Sequence, residues 1–181
     1  MRNDAQRNRQ RILAAAESVF GERGEAGSTE EIARRAGVGI ATVFRHFPTK
    51  SALLEATVLA HFAHLRRRAN ELAEVGDPVV ALRALVTEMI ETGATKLTLA
   101  SLLASDGEIP ESVLVASREL RAVVGVVLSR ARDAGAVQTA VTVDEIYLLI
   151  RALAHASATQ PTDAVTLSRA IDIVLAGMQS T

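Results

Sequence analysis

Hydrophobic residues recur at helical intervals along almost the whole chain. Ile12, Leu13, Ala16, Val19 and Phe20 keep the i, i+1, i+4, i+7, i+8 spacing of one helix face. The polar stretch "ERGEAG" stops that run, with Gly24 placed as a C-cap. Ser28 and Glu31 then form an S-x-x-E capping pattern and open a short helix whose inner face is Ile32, Ala33 and Ala36. Gly37 ends it. A second short helix runs from about Ile40 to His46, and Pro48 prevents its continuation.

From Lys50 the pattern lengthens. Leu54, Val58, His61, Phe62 and Leu65 share one face of a helix that Gly76 closes. Asp77-Pro78 supplies an N-cap and an N1 proline for a helix carrying Leu82, Leu85, Val86, Met89 and Ile90. A shorter helix around "KLTLASLLAS" follows. The next extends from Pro110 to Gly135. Thr142 and Glu145 repeat the capping pattern before Ile146, Leu149, Ile150 and Leu153. The last helix starts near Asp163, with Ile171, Val174, Leu175 and Met178 on one side. "VLVAS" and "VVGVVL" are rich in β-branched residues, but they sit inside a helical period. The reading is an all-α chain of about nine helices: a three-helix head with a helix-turn-helix, and a six-helix body. The head spans residues 1–49 and the body residues 50–181.

Composition narrows the class. Aromatics are 3% of a chain that is 49% hydrophobic, so Ala, Leu, Val and Ile must build the core. There is no cysteine, which removes disulfides and thiolate metal sites. The opening residues are polar and Arg-rich and no apolar run would span a bilayer, so a cytoplasmic protein with no membrane partner is expected. The net charge of −1 is unevenly spread. Residues 1–50 carry nine Lys or Arg against six Asp or Glu, and the rest carry eleven against fifteen. A head of +3 on a body of −4 suits an anionic partner at the head.

Two short helices joined by the tight turn "AGVG" fit a helix-turn-helix, whose second helix enters the major groove. With Val38, Val43 and Phe47 turned inward, Ile40, Ala41, Thr42, Phe44, Arg45 and His46 face outward. Thr, Arg and His can hydrogen-bond phosphates and base edges, and Ile40 and Ala41 can meet thymine methyls. Spacing alone also fits a plain helical hairpin with a solvated basic end.

The stretch "STEEIARRAGVGIATVFRHFPTKSALLEA" resembles the DNA-binding head of the TetR family of bacterial transcriptional regulators. The likeness covers roughly residues 8–60. It rests on Phe20, Thr29, Ile32-Ala33, Ala36-Gly37-Val38, Thr42, His46-Phe47 and Lys50. It implies a homodimer with two heads for successive major grooves of an operator in double-stranded DNA, and a body that binds a small hydrophobic effector. Carried over, Thr29, Thr42 and His46 would meet phosphate. Lys50 would do so with both its ammonium and its helix dipole. Gly39 stands where a Ser or Thr usually caps the recognition helix, and Phe44 where a Tyr is commonest. Arg45 is a candidate for base reading or for another phosphate contact. Arg7, Arg9 and Arg11 would reach phosphate or the minor groove, or form a solvated arm.

In the body, Tyr147, Arg151 and His155 form an i, i+4, i+8 polar stripe that suits either ligand orientation or a dimer face. The resemblance implies that the last two helices pair with their mates, which would use Ala152, His155, Ile171, Val174, Leu175 and Met178. Phe62, Met89, Thr92, Leu99, Leu103, Arg121, Val124 and Leu128, with Tyr147 and Arg151 of the polar stripe, are the candidates for lining an effector cavity, the first eight being more at home in plain core. His61 and His64 stand three apart, but with no carboxylate in register they read as ordinary helix surface and not as a metal site. No catalytic constellation or phosphate-binding glycine loop can be placed, so neither an enzyme nor a cofactor is expected. A helical enzyme is thus the weakest alternative, and a DNA-binding protein without a ligand the stronger one.

Overall fold

The computed structural model describes residues 2–74, 76–105, 107–160 and 162–179, and among these no strand occurs. The helices are α1 (Arg2–Arg23), α2 (Thr29–Ala36), α3 (Ile40–His46), α4 (Lys50–Glu74), α5 (Pro78–Glu91), α6 (Gly93–Ser105), α7 (Glu111–Asp133), α8 (Val143–Thr159) and α9 (Ala164–Gly177). A single 3₁₀ turn, Gly24–Ala26, follows α1. No helix among the described residues is long and apolar enough to cross a membrane.

The chain forms two compact units. One comprises the residues up to Phe62 together with Thr95–Ala116; the other comprises Ala63–Ala94 and the residues from Ser117 onward. In the first, α1 packs on α2 and α2 on α3. Ile12, Phe20, Ile32 and Val43 are fully withdrawn from water. Gly37 has φ 62 at the C-cap of α2, a left-handed conformation that favours glycine, and the amides of Gly37 and Val38 close the α2 carbonyls. The α1–α6 approach is close: a Cβ at Gly21 would lie 2.9 Å from Thr95 Cγ2. His61, expected on a helix surface, is buried, and its Nδ1 lies 2.8 Å from Glu17 Oε1 of α1.

The second unit packs α5 on α8 and α9, and α8 on α9. The Thr142–Glu145 capping box is reciprocal, with the Thr142 hydroxyl accepting from the Glu145 amide and the Glu145 carboxylate accepting from the Thr142 amide. The Ser28–Glu31 pair is only half of one. Ser28 Oγ accepts from the Glu31 amide at 3.1 Å, while the Glu31 carboxylate turns to Arg35, Arg23 and Arg34. Three guanidinium groups outcompete one capping amide for that carboxylate. Gly93 is buried where a Cβ would stand 2.5 Å from Ala154 Cβ. Gly93→Ala is therefore expected to cost about 1–3 kcal/mol through overpacking. Adding Ala154→Gly should recover much of that loss in denaturant unfolding; if the double variant proved less stable than Gly93→Ala, the close approach would not be the cause.

Candidate nucleic-acid interface

The head is built from the α1–α2 clamp outward. Arg35 donates to both oxygens of Glu22 at 2.7 Å and to Glu31 at 2.9 Å, and Ser18 donates to Glu22 at 2.7 Å. The hydrogen bonds from Arg35, then Ser18, hold the Glu22 carboxyl down to about 2. The clamp's contribution to folding is complete above the ordinary glutamate value of 4.5 and is lost as pH falls through about 2.

Against this base, α3 presents its outer face. Val43 and Phe47 point inward and are buried, while Ile40, Ala41, Phe44 and Arg45 are exposed and Thr42 and His46 half-buried. Arg45 Nη2 donates to Thr42 Oγ1 at 3.3 Å. Gly39 caps α3 without a side-chain bond, and nothing lies within 4 Å of where its Cβ would be. Thr29 opens α2, half-buried, with its hydroxyl donating to Glu30 at 3.4 Å. Lys50 opens α4. Its ammonium donates to the Glu25 carbonyl at 2.8 Å and lies 5.7 Å from the Phe20 ring centroid. One bond leaves the other donors of an ammonium available.

The N-terminal arginines do not form an extended arm, because α1 already includes them. Arg7 pairs with Asp4 at 2.9 Å, Arg9 sits 5.3 Å from the Phe47 ring centroid, and Arg11 donates to the Gly37 carbonyl at 3.4 Å. Arg9 and Arg11 thus contact the helix-turn-helix at the Phe47 ring and at the Gly37 carbonyl. Thr49 was missed by the sequence reading: its hydroxyl accepts from the Ala52 amide at 3.0 Å and caps α4. A Thr directly ahead of the helix is the signal that would have found it.

The expected effector residues divide between the units. Phe62, Leu99 and Leu103 lie in the first, and all three are buried. Met89, Thr92, Arg121, Val124, Leu128, Tyr147 and Arg151 lie in the second. There, Met89, Val124 and Leu128 are core, Thr92 donates to its own helix carbonyl at Glu88, and Arg151 is exposed. Arg121 pairs with Asp144 and stands 5.1 Å from the Tyr147 ring centroid. Burial pushes the Tyr147 phenol up to about 12, against the opposing charge of Arg121. Three clefts are walled by other side chains. One of about 360 Å³ is lined by Glu25, Lys50, Leu54, Leu102 and Ser105. A second of about 360 Å³ includes Val141, Leu148 and Leu149. The third, of about 250 Å³, includes Leu82, Val137 and Leu175.

The expected dimer residues differ in how far their own chain covers them. Ile171 and Met178 are buried in their own chain, and Val174 and Leu175 are half-buried. Ala152 and His155 are exposed as expected. On α8 and α9 the large apolar side chains most exposed to water are Leu148, 57% exposed, with Val165 and Ile173, 69% and 71% exposed.

The description "Bacterial regulatory proteins, tetR family" matches residues 12–57, and "Transcriptional regulator SbtR-like, C-terminal domain" matches residues 77–180. A helix-turn-helix-type transcriptional regulator of Staphylococcus aureus is 48% identical over 54 residues, which span 29% of this chain and only 29% of that protein. Two crystal structures are similar over nearly their whole length. A TetR transcription regulatory protein from Mycobacterium vanbaalenii is 30% identical, with 99% of both chains covered and a TM-score of 0.81. A TetR transcriptional regulator from Streptomyces coelicolor is 30% identical, with 96% of this chain and 99% of that one covered and a TM-score of 0.84. With a helix-turn-helix head and a body that are both matched, and with relatives 30% identical over nearly the whole chain, this chain is a member of the TetR family of bacterial transcriptional regulators.

Proposed function

We propose that the protein is a cytoplasmic homodimeric repressor that binds a palindromic operator and is released from it by a small hydrophobic ligand. Residues 1–49 hold the DNA and residues 50–181 provide pairing and sensing. The observation carrying this reading is the outward face of α3, where exposed Arg45 and half-buried Thr42 and His46 stand beside two bare apolar side chains. Two-fold pairing through α8 and α9 would give the site its symmetry. The sensing role is supported by the match of residues 77–180 to the C-terminal domain of a transcriptional regulator, and Arg121 and Tyr147, 5.1 Å apart on helices rich in Val, Leu and Ile, are its candidate polar contacts.

Selection of bound duplexes from a random pool tests the DNA half, with a palindrome expected. On the selected site, Lys50→Ala should weaken all sequences alike and flatten the salt dependence of binding. Arg45→Ala should relax preference at one position per half-site and cost about 1–3 kcal/mol. Equal weakening of every sequence by Arg45→Ala would reassign that residue to phosphate. For the sensing half, apolar compounds are titrated against the protein–operator complex, and a true effector lowers operator affinity in wild type but less so in Arg121→Ala. If no compound shifts affinity, the protein is a constitutive DNA binder.

A further inference from the structure

Ile40 and Phe44 put apolar side chains on the outer face of α3. They lie four residues apart on α3, hence on one side of the helix, and are 37% and 44% exposed. Neither has a hydrogen-bond donor or acceptor in its side chain, so neither can hold a phosphate oxygen or the polar edge of a base. The next row of the same face ends in Arg45, with His46 beside it and Lys50 opening the following helix. A polyanion is therefore drawn to a surface whose leading side chains are hydrocarbon. In the major groove one exposed group suits such side chains, the C5 methyl of thymine.

We propose that Ile40 and Phe44 are specificity-determining residues that read thymine methyl groups, so that each operator half-site carries thymine where α3 enters the groove. The inference rests on the reading of α3 as the recognition helix. Phe44 acts through its ring and not as a phosphate anchor, because it lacks the hydroxyl that a tyrosine would supply. Gly39 adds no side chain at the start of α3, and the space around its Cα is open, which leaves Ile40 unshielded on the approach to the groove.

The test deletes the methyl and nothing else. In the selected duplex, each thymine is replaced in turn by deoxyuridine, and binding is measured with wild type, Ile40→Ala and Phe44→Ala. Wild type should lose about 4-fold in affinity per methyl removed at one or two thymines in each half-site, the value expected for one buried methyl-sized group. The loss at one such position should vanish in Ile40→Ala and at the other in Phe44→Ala. Both residues are partly exposed, so both variants should still fold cooperatively, which thermal melting checks. A wild-type protein indifferent to deoxyuridine at every thymine overturns the proposal, as does a loss that persists in both variants. If in addition the variants and Arg45→Ala select the same sequences as wild type, α3 is not the recognition helix and the underlying reading fails too. Changed selection without methyl dependence defeats the thymine assignment alone.

Discussion

Ile173→Glu is expected to convert the protein to a monomer and to lower its operator affinity by about 100- to 10,000-fold. Ile173 is 71% exposed on α9, and Val165 and Leu148 are nearly as bare. A two-fold interface meets itself, so one substitution places two carboxylates near each other in a surface that must lose its water. The two heads then bind as separate molecules, and the gain from linking them disappears. Because Ile173 makes little use of its own chain, the variant should fold normally, and sedimentation together with operator titration checks both parts. Leu175→Glu answers a different question, since Leu175 is half-buried and lines the 250 Å³ cleft. An intact dimer in Ile173→Glu would move the interface off this face.

Phe47→Ala should unmake the head without touching a proposed DNA contact. Phe47 caps α3, is buried, and carries the Arg9 guanidinium over its ring. Truncating a buried Phe costs about 3–5 kcal/mol, a large share of the roughly 5–15 kcal/mol that holds a typical domain. Thermal unfolding should shift strongly downward and operator binding should weaken in parallel. Phe47→Leu keeps most of the apolar volume and should lose far less. Full stability in Phe47→Ala would mean that the ring is not part of the core.

Helix identities and most boundaries were legible because each is signalled locally. Thr142 and Glu145, Asp77-Pro78 and Asp163 all announce their helices within four residues; the first two cap as expected, and Asp163, expected only as a start, caps α9. The outer face of α3 was legible for the same reason: Val43 and Phe47 mark the inner side, which leaves Ile40, Ala41, Phe44 and Arg45 exposed. What was not legible depends on distant partners. His61 is buried by a contact with Glu17, 44 residues earlier, and Arg11 is drawn to a carbonyl 26 residues later. On α9 the ambiguity has another cause. The helix is apolar on two sides, with Ile171 and Met178 on one and Val165 and Ile173 on the other. Periodicity finds both stripes but cannot say which one its own chain covers.

The meeting of α1 with α6 governs the order in which the molecule can be made. Gly21 approaches Thr95 and Gly24 approaches Thr98, each 74 residues further along the chain. At a synthesis rate of about 5–20 residues per second, α1 leaves the ribosome roughly 4–15 s before its partner exists. During that interval the first three helices can pair locally, but the flank of α1 that receives α6 has nothing against it. Closing so long a loop adds an entropic cost and a non-local step to an otherwise fast helical assembly. The head that binds DNA is thus begun first and completed late, and a nascent chain stopped before Thr98 would carry a helix-turn-helix whose supporting helix is still bare on one side.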